Sequence, residues 1–127
     1  MGTFRDKNGL WTQVNIEDVA TPEAFARDPG KVMAFYNARR GNCITATPNA
    51  AHFALAELQA SEHEVTLVTQ NIDDLHDRVN TDQLLHLHGE LLMSFCMGCG
   101  FRQEQTTDLT ADMPCPSCHS MARCNSA

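Results

Sequence analysis

The sequence predicts an α/β fold in which a short βαβ unit follows a helical segment and precedes a cysteine-rich segment. The unit is indicated by two apolar runs that read as strands, residues 64–69 and Leu84–His88. The residues between them, 70–83, are numerous enough for a right-handed parallel crossover with a short helix at about 73–80. A pair of Cys-x-x-Cys motifs further along the chain is typical of a small metal-bound module.

Composition indicates a globular protein of one domain. The chain has 127 residues, and no apolar run approaches the ~20 residues that cross a bilayer. No secretory signal follows the first methionine. The formal net charge of −7 argues against a nucleic-acid binder, because phosphate binding needs clustered Lys and Arg. We therefore expect a cytoplasmic protein whose partners are neither nucleic acid nor membrane.

Helices are predicted before the βαβ unit, after a loop at residues 1–20. Thr21-Pro22 starts the first helix, since a hydroxyl residue caps a helix and proline suits its first position. This helix should end near Arg27, and a second follows the Asp-Pro-Gly break. A third is expected from Thr47-Pro48, with apolar residues at i, i+3, i+4 and i+7 that predict a core-facing stripe. The stripe consists of Ala51, Ala54, Leu55 and Leu58.

The paired cysteines predict a zinc ribbon. The two motifs are Cys96-Met-Gly-Cys99 and Cys115-Pro-Ser-Cys118, and each lets two sulfurs converge on one tetrahedral ion. Two disulfides or a redox-active pair are the alternatives, but nothing in the sequence indicates an oxidising compartment. Four protein thiolates leave zinc no open position, so we expect a structural role. The other candidate ligands are expected to remain outside the site: Cys43, Cys124 and the loop residue His119.

A crowded polar turn, Gln70-Asn71-Ile72-Asp73, follows the first predicted strand. Parallel α/β sheets bind ligands beyond the carboxyl ends of their strands. The parallel crossover brings His88 to the same edge, whereas His86, one step inside the strand, should be packed or hydrogen-bonded. Two interpretations of the spacing remain open. The turn is part of a ligand site, or its side chains cap the next helix and His88 is an ordinary strand-end histidine.

Several further sequence motifs occur along most of the chain. They are "GTFRDKNGLW", "FYNARR", "PNAAHFALAEL", "TQNIDDLH", "LHLHGEL" and the two Cys-x-x-Cys pairs. In this order they resemble the sirtuins, the NAD-dependent protein-lysine deacylases, and in particular bacterial members that remove acidic acyl groups as well as acetyl. The resemblance covers residues 2 to about 123. It implies a partial Rossmann-type parallel sheet (1–21 and 62–90), an inserted helical module (22–61) and a zinc-ribbon module (91–124).

The resemblance implies roles at the nicotinamide end of NAD. His88 corresponds to the general base, which helps to deprotonate a ribose hydroxyl. Histidine suits this role because it exchanges a proton readily near neutral pH. Asn71 and Asp73 correspond to residues around the nicotinamide ribose and carboxamide. Ile72 corresponds to the apolar wall between them, and Gln70 to an amide that contacts the ribose.

The resemblance also implies a cofactor loop and an acyl-recognition pair. Phe4 and Arg5 correspond to the loop that shields the reactive sugar and reaches towards the phosphates. Tyr36 and Arg39 correspond to the pair that binds a succinyl or malonyl carboxylate, which a planar guanidinium accepts in bidentate fashion. At i and i+3 they share a helix face. Without the resemblance, Tyr36 reads as a core residue and Arg39 as a surface residue.

The implied function is NAD-dependent deacylation of protein lysines, with NAD as cosubstrate and zinc in a structural role. The chain departs from the sirtuin pattern at both ends, since no Gly-Ala-Gly turn precedes Gly2 and no Arg-Pro segment follows Arg123. We therefore expect that this polypeptide alone binds NAD weakly or not at all and has little deacylase activity. The alternatives are a non-enzymatic zinc-binding interaction module and a zinc-ribbon nucleic-acid binder, the latter disfavoured by the charge.

Overall fold

The structure, a computed structural model, describes residues 15–121 and 123–126. A 3-10 turn at Ile16–Asp18 precedes the helices and strands. The helices are α1 (Pro22–Arg27), α2 (Pro29–Thr45), α3 (Ala50–Ala60) and α4 (Leu75–Arg78). The strands are β1 (Leu67–Thr69), β2 (Leu84–His86), β3 (Glu90–Cys96), β4 (Arg102–Glu104) and β5 (Arg123–Ser126). Phe4, Arg5 and most of the predicted N-terminal loop lie outside the described residues.

The predicted βαβ unit is confirmed, with shorter elements. β1 and β2 pair in parallel, with Leu67 opposite Leu84 and Thr69 opposite His86. The first strand was predicted to begin at residue 64 but begins at Leu67. The chain before it is held by a side chain instead, because Gln59 Nε2 donates to the Val65 carbonyl at 3.0 Å. None of the helices in the described ranges has the length and apolar character that a bilayer crossing requires.

The first two helices begin where the sequence predicts. Thr21 Oγ1 accepts a hydrogen bond from the Ala24 N–H at 3.1 Å and so caps α1. Asp28 serves both helices: its N–H donates to the Ala24 carbonyl at 2.9 Å, and its carboxylate accepts from the Lys31 N–H at 3.1 Å. The Asp-Pro-Gly break therefore bends the chain between α1 and α2 without inserting a loop.

The predictions for α3 are wrong in two respects. Asn49, not Thr47, caps this helix, because Asn49 Oδ1 accepts from the Ala51 N–H at 2.9 Å while His52 Nδ1 accepts from the Asn49 N–H at 3.0 Å. Because of these reciprocal bonds, α3 starts two residues later than predicted. The predicted core stripe is not buried either. No α3 residue is buried within the described structure, and Leu58 is 44% exposed.

The core lies where α1 and α2 pack against β3. Its buried members come from all three elements: Ala24, Val32, Tyr36, Cys43 and Leu91. The partly buried side chains packed against them are Phe25, Phe35 and Ile72. Ile72 belongs to the polar turn after β1, so the turn is attached to the core by apolar contact.

A second sheet follows the βαβ unit, with β3 paired antiparallel to both β4 and β5. Three polar side chains at its centre hydrogen-bond one another, although each is buried. Ser94 Oγ donates to Gln105 Oε1 at 3.1 Å, and one Arg123 nitrogen donates to both of these oxygens at 3.0 Å. Burying a charge is tolerated when it is hydrogen-bonded in this way.

Arg78 joins the end of α2 to the polar turn. Its guanidinium forms two bonds with the Asp74 carboxylate, at 2.6 and 2.8 Å, and hydrogen bonding to Asp74 raises the Arg78 pKa. The other bonds go to the carbonyls of Cys43 at 2.9 Å and Ala46 at 2.6 Å. Helix carbonyls at a C-terminus lack partners within the helix, so Arg78 satisfies them from the βαβ side.

We predict that Arg78→Ala lowers the free energy of unfolding by about 2 kcal/mol, because it removes charge-assisted bonds and leaves two carbonyls without this donor. Arg27→Ala is the control. Arg27 is exposed on α1 and faces Asp18 at 3.4 Å, and surface pairs of this kind are worth ~0.5 kcal/mol. Urea denaturation of the zinc-loaded chain measures both values. Equal losses of unfolding free energy in Arg78→Ala and Arg27→Ala would contradict the role of Arg78 in joining α2 to the polar turn.

Candidate functional site

The polar turn and His88 lie at the same edge of the β1–β2 pair, as the parallel connection predicts. The turn is fixed at both ends by main-chain groups. The Asn71 N–H donates to Thr69 Oγ1 at 3.0 Å, and the Ile72 carbonyl accepts from the Leu91 N–H at 2.7 Å. The turn is thereby held between the end of β1 and the start of β3.

The side chains of the turn differ in their surroundings. Gln70 and Asn71 are exposed, whereas Asp73 is 8% exposed. Asp73 Oδ1 accepts a hydrogen bond from the Leu75 N–H at 3.1 Å at the start of α4. The N-cap residue of α4 is Asp74, so Asp73 lies one residue before the cap, and its bond to Leu75 fixes the direction of its carboxylate. Two neutral amide side chains at an exposed edge remain available for ligand contact.

His88 lies just beyond β2 and is exposed. The strand was predicted to include His88, but it ends at His86. One further ladder bond follows, from the Leu87 N–H to the Thr69 carbonyl at 2.9 Å. Gly89 then adopts φ 85°, a left-handed conformation that costs glycine little, and the chain turns into β3. The imidazole of His88 is therefore exposed to solvent at the carboxyl edge of the β1–β2 pair.

Two further histidines lie beside the turn. His86 is hydrogen-bonded, as predicted, to the Asn71 carbonyl at 3.3 Å and to Asp77 at 3.1 Å. His76 is buried in α4, and its ring meets His52 edge-on at a centroid distance of 4.7 Å. Burial lowers the pKa of His76 and favours its neutral form, and the nearby His52 acts in the same direction.

Tyr36 and Arg39 lie on α2, and the structure brings them together. Tyr36 is buried in the core and borders an apolar cavity of about 220 Å³. The Arg39 guanidinium carbon lies 5.6 Å from the ring centroid of Phe35 and 5.9 Å from that of Tyr36. Burial raises the pKa of Tyr36, while the Arg39 charge opposes this effect. Burial lowers the pKa of Arg39, and the charges of Tyr36, Cys43 and Asp73 oppose this effect.

The four predicted zinc ligands converge. The sulfurs of Cys96, Cys99, Cys115 and Cys118 all lie within 4.8 Å of one another, and none forms a disulfide. The Cys96–Cys118 and Cys99–Cys115 separations are 3.6 and 3.7 Å. A tetrahedral ion with metal–sulfur bonds of ~2.3 Å requires sulfur separations of about 3.8 Å. The geometry fits zinc and excludes the disulfide alternative.

The electrostatics of the cluster also fit a cation. Backbone N–H groups of Cys118 and Ser117 lower the pKa of Cys115 to about 7. The N–H of Ser120 favours the Cys118 thiolate as well, but the neighbouring sulfurs of Cys99 and Cys96 raise the Cys118 pKa to about 12. Four adjacent sulfurs cannot all be anionic without a positive charge among them, and zinc supplies that charge.

The remaining cysteines and His119 lie outside the cluster, as predicted. Cys43 and Cys124 are free thiols, and burial raises the pKa of each, that of Cys124 to about 11. His119 is exposed, with φ 61°. Gly100, directly after Cys99, has φ 75°, a left-handed conformation that costs glycine little and permits a tight turn beside the cysteines.

The sequence as a whole falls within one protein family, and the model of the Sir2 family matches residues 1–126. The chain belongs to the Sir2 family. The resemblance to sirtuins stated from the motifs is thereby confirmed.

Curated relatives of this Sir2 chain carry the name NAD-dependent protein deacylase. One from Caulobacter vibrioides is 47% identical over 122 residues, which cover 93% of this chain and 51% of the relative. One from Bdellovibrio bacteriovorus is 50% identical over 119 residues, covering 91% of this chain and 51% of the relative. The chain therefore spans about half the length of these relatives.

Solved Sir2 structures share the fold. A Sir2 homologue in complex with ADP-ribose superposes with a TM-score of 0.89 at 38% identity, covering 99% of this chain and 51% of that one. A Sir2 homologue in complex with NAD gives a TM-score of 0.86 at 38% identity, covering 98% and 49%. These neighbours confirm the predicted partial Rossmann-type α/β fold, with its helices and cysteine cluster.

We predict that the purified Sir2 chain carries one equivalent of zinc and that Cys115→Ser lowers this to less than about half an equivalent, because one thiolate of the tetrahedral set is lost. Cys124→Ser is the matched control, since Cys124 lies outside the cluster. Metal analysis by mass spectrometry measures both. Retention of a full equivalent by Cys115→Ser, or equal loss in the control, would refute the assignment.

Proposed function

We propose that this Sir2 chain belongs to an NAD-dependent protein-lysine deacylase, which transfers an acyl group from lysine to the ADP-ribose of NAD and releases nicotinamide. The observation that carries the proposal is the meeting of the 70–73 turn and His88 at one edge of the parallel pair. The names of the relatives, and the NAD and ADP-ribose in the Sir2 structures, support it.

At the nicotinamide end, the turn supplies amide and carboxylate groups. Asn71 and Gln70 are exposed and suited to donate and accept hydrogen bonds with a ribose or a carboxamide. Asp73 is oriented by its bond to the Leu75 N–H. Ile72 packs against the core and offers an apolar surface between the polar groups. Phe4 and Arg5 complete the proposed cofactor contacts from the N-terminal loop.

His88 is the proposed general base. His88 follows β2, which brings it to the edge where the turn lies, and its imidazole is exposed to solvent. It can therefore accept a proton from a ribose hydroxyl and pass it to water. The acyl oxygen of the lysine amide attacks the ribose carbon as nicotinamide leaves. The deprotonated hydroxyl then attacks the acyl carbon, water adds, and the lysine amine departs, which leaves the acyl group on the ADP-ribose. Asn71 and Asp73 hold the ribose in the orientation that this transfer needs.

The Tyr36–Arg39 pair is the proposed acyl-selecting element, which would make succinyl- and malonyl-lysine substrates alongside acetyl-lysine. The Arg39 guanidinium lies beside the rings of Phe35 and Tyr36, which restrict its position. A planar guanidinium binds a carboxylate in bidentate fashion. The partners are acylated lysines of cytoplasmic proteins. A Sir2 structure bound to a myristoylated histone peptide supports an acylated protein substrate. The net charge of −7 supports the exclusion of nucleic acid.

A second candidate is a non-enzymatic zinc-bearing interaction module. It is favoured by apolar side chains that are exposed on the βαβ unit and α3, namely Phe53, Val68, Leu85 and Leu87, each at least 49% exposed. The division into a partial Rossmann-type part, a helical module and a zinc ribbon is common to both candidates. Catalytic turnover separates them.

We predict that His88→Ala lowers nicotinamide release from NAD and an acetyl-lysine peptide by about 100-fold or more, because it removes the general base. His63→Ala is the control, since His63 is exposed on the loop before β1. Chromatographic quantification of nicotinamide measures the rate. Equal rates in the parent and His88→Ala would refute the role of His88. No release from a folded, zinc-loaded parent would favour the interaction module.

We predict that Arg39→Met lowers desuccinylation by roughly tenfold or more and changes deacetylation much less, because only the succinyl group presents a carboxylate. Arg27→Met, an exposed substitution on α1, controls for loss of surface charge. Mass spectrometry of paired succinyl- and acetyl-lysine peptides follows both reactions. Equal losses on the two substrates would assign Arg39 a structural role.

A further inference from the structure

His86 places both of its ring nitrogens against hydrogen-bond acceptors. Nδ1 lies 3.3 Å from the Asn71 carbonyl oxygen, and Nε2 lies 3.1 Å from a carboxylate oxygen of Asp77. The His86 side chain is 9% exposed, so water competes weakly for either nitrogen. Neither oxygen carries a proton to donate, because one belongs to an amide and the other to a carboxylate.

This geometry makes the two bonds depend on protonation. A neutral imidazole has one N–H and satisfies one acceptor, whereas an imidazolium has two and satisfies both. When His86 loses a proton, the remaining N–H should stay on Nε2, because a bond to a carboxylate is about twice as strong as one to a neutral carbonyl. The bond that disappears at higher pH is therefore the one to Asn71.

Titratable groups of α3, α4 and the polar turn surround His86. Asp77, on α4, contacts it directly. His76, also on α4, interacts electrostatically with His86 and with Asp73 of the turn, Asp77 and His52 of α3. Burial favours the neutral form of His76, so the charged groups of this cluster are the carboxylates of Asp73 and Asp77.

We propose that His86 is a positioning residue for the nicotinamide end of the site. As an imidazolium it connects Asp77 of α4 to the main chain of Asn71 and fixes the turn from β2. On losing a proton it releases the Asn71 carbonyl and loosens the turn. The ligand part of this inference rests on the proposed function, whereas the protonation-dependent bond does not.

Two substitutions separate the two bonds. In His86→Asn, the amide nitrogen takes the place of Nδ1 and donates to Asn71 at every pH. In His86→Gln, the amide nitrogen takes the place of Nε2 and reaches Asp77, which leaves the Asn71 carbonyl released at every pH. His63→Gln controls for the loss of an exposed imidazole.

The first measurement is the carbonyl carbon resonance of Asn71 in the isotopically labelled, zinc-loaded chain, followed between about pH 5 and 8, where histidine titrates. The resonance should move with pH in the parent and in His63→Gln. It should stay near the acidic value in His86→Asn and near the alkaline value in His86→Gln. A pH-independent resonance in the parent, or the same titration in all four proteins, would overturn the inference that the bond from His86 to Asn71 depends on protonation.

The second measurement is calorimetric affinity for NAD, with ADP as the ligand that lacks both nicotinamide and the ribose attached to it. In the parent, NAD binding should weaken about fivefold from pH 6 to 8, the worth of one hydrogen bond. NAD binding should be weakened at both pH values in His86→Gln and at neither in His86→Asn, while ADP binding stays constant throughout. Equal NAD affinity of parent and His86→Gln at both pH values would overturn the positioning role.

The two proposals fail in different ways. Absence of NAD binding in the parent and in every variant would overturn NAD binding by this polypeptide and with it the ligand part of the inference, and the Asn71 resonance would then decide the bond by itself. NAD binding that is insensitive to His86 would leave the proposed function intact and overturn only the inference about His86.

Discussion

The arrangement of the site depends on the bonds that Arg78 makes. One guanidinium satisfies two carbonyls at the end of α2 and the carboxylate of Asp74, next to the polar turn. The Cys43 thiol donates to the same carboxylate at 3.4 Å. Through these bonds, the helix that carries Tyr36 and Arg39 and the turn that carries Asn71 and Asp73 form a single unit. The proposed acyl-selecting pair and the proposed nicotinamide contacts are therefore held in a fixed relation.

β3 connects the three parts of the molecule that differ most in chemistry. Leu91 at its start is in the apolar core, Ser94 is in the buried polar group with Gln105 and Arg123, and Cys96 at its end is a metal ligand. A strand of seven residues therefore passes from the helical core to the zinc site. Binding of zinc stabilises that strand, and the core is stabilised with it.

The parts that could be predicted from the sequence depend on short-range patterns. The β1–α4–β2 order follows from two apolar runs and their spacing, and the cysteine cluster follows from two motifs. The start of α3 was wrong because the reciprocal bonds of Asn49 and His52 outweigh the signal of Thr47-Pro48. Its apolar stripe was wrong because burial depends on which other elements cover a helix, and periodicity does not report that.

The contacts that fix the candidate site were beyond sequence reasoning for a physical reason. The carbonyls bound by Arg78 lie 32 and 35 residues earlier in the chain, and no local pattern indicates such a pairing. His86 was expected to be packed or hydrogen-bonded, but its two acceptors come from different elements. The roles of Asn71, Asp73, His88, Tyr36 and Arg39 were implied by the family resemblance, because their residue types alone are equally compatible with capping, core and surface positions.

Asp28 ends α1 and starts α2 with the same residue, and this has a consequence for the apolar cavity beside Tyr36. The cavity is lined by Phe25 of α1, by Val32 and Tyr36 of α2, and by Phe95 of β3. With no spacer between the helices, their mutual angle is set by one residue. The angle between α1 and α2 therefore sets the dimensions of the cavity. A substitution of Asp28 that widens this angle changes the shape of the cavity, although Asp28 does not line it.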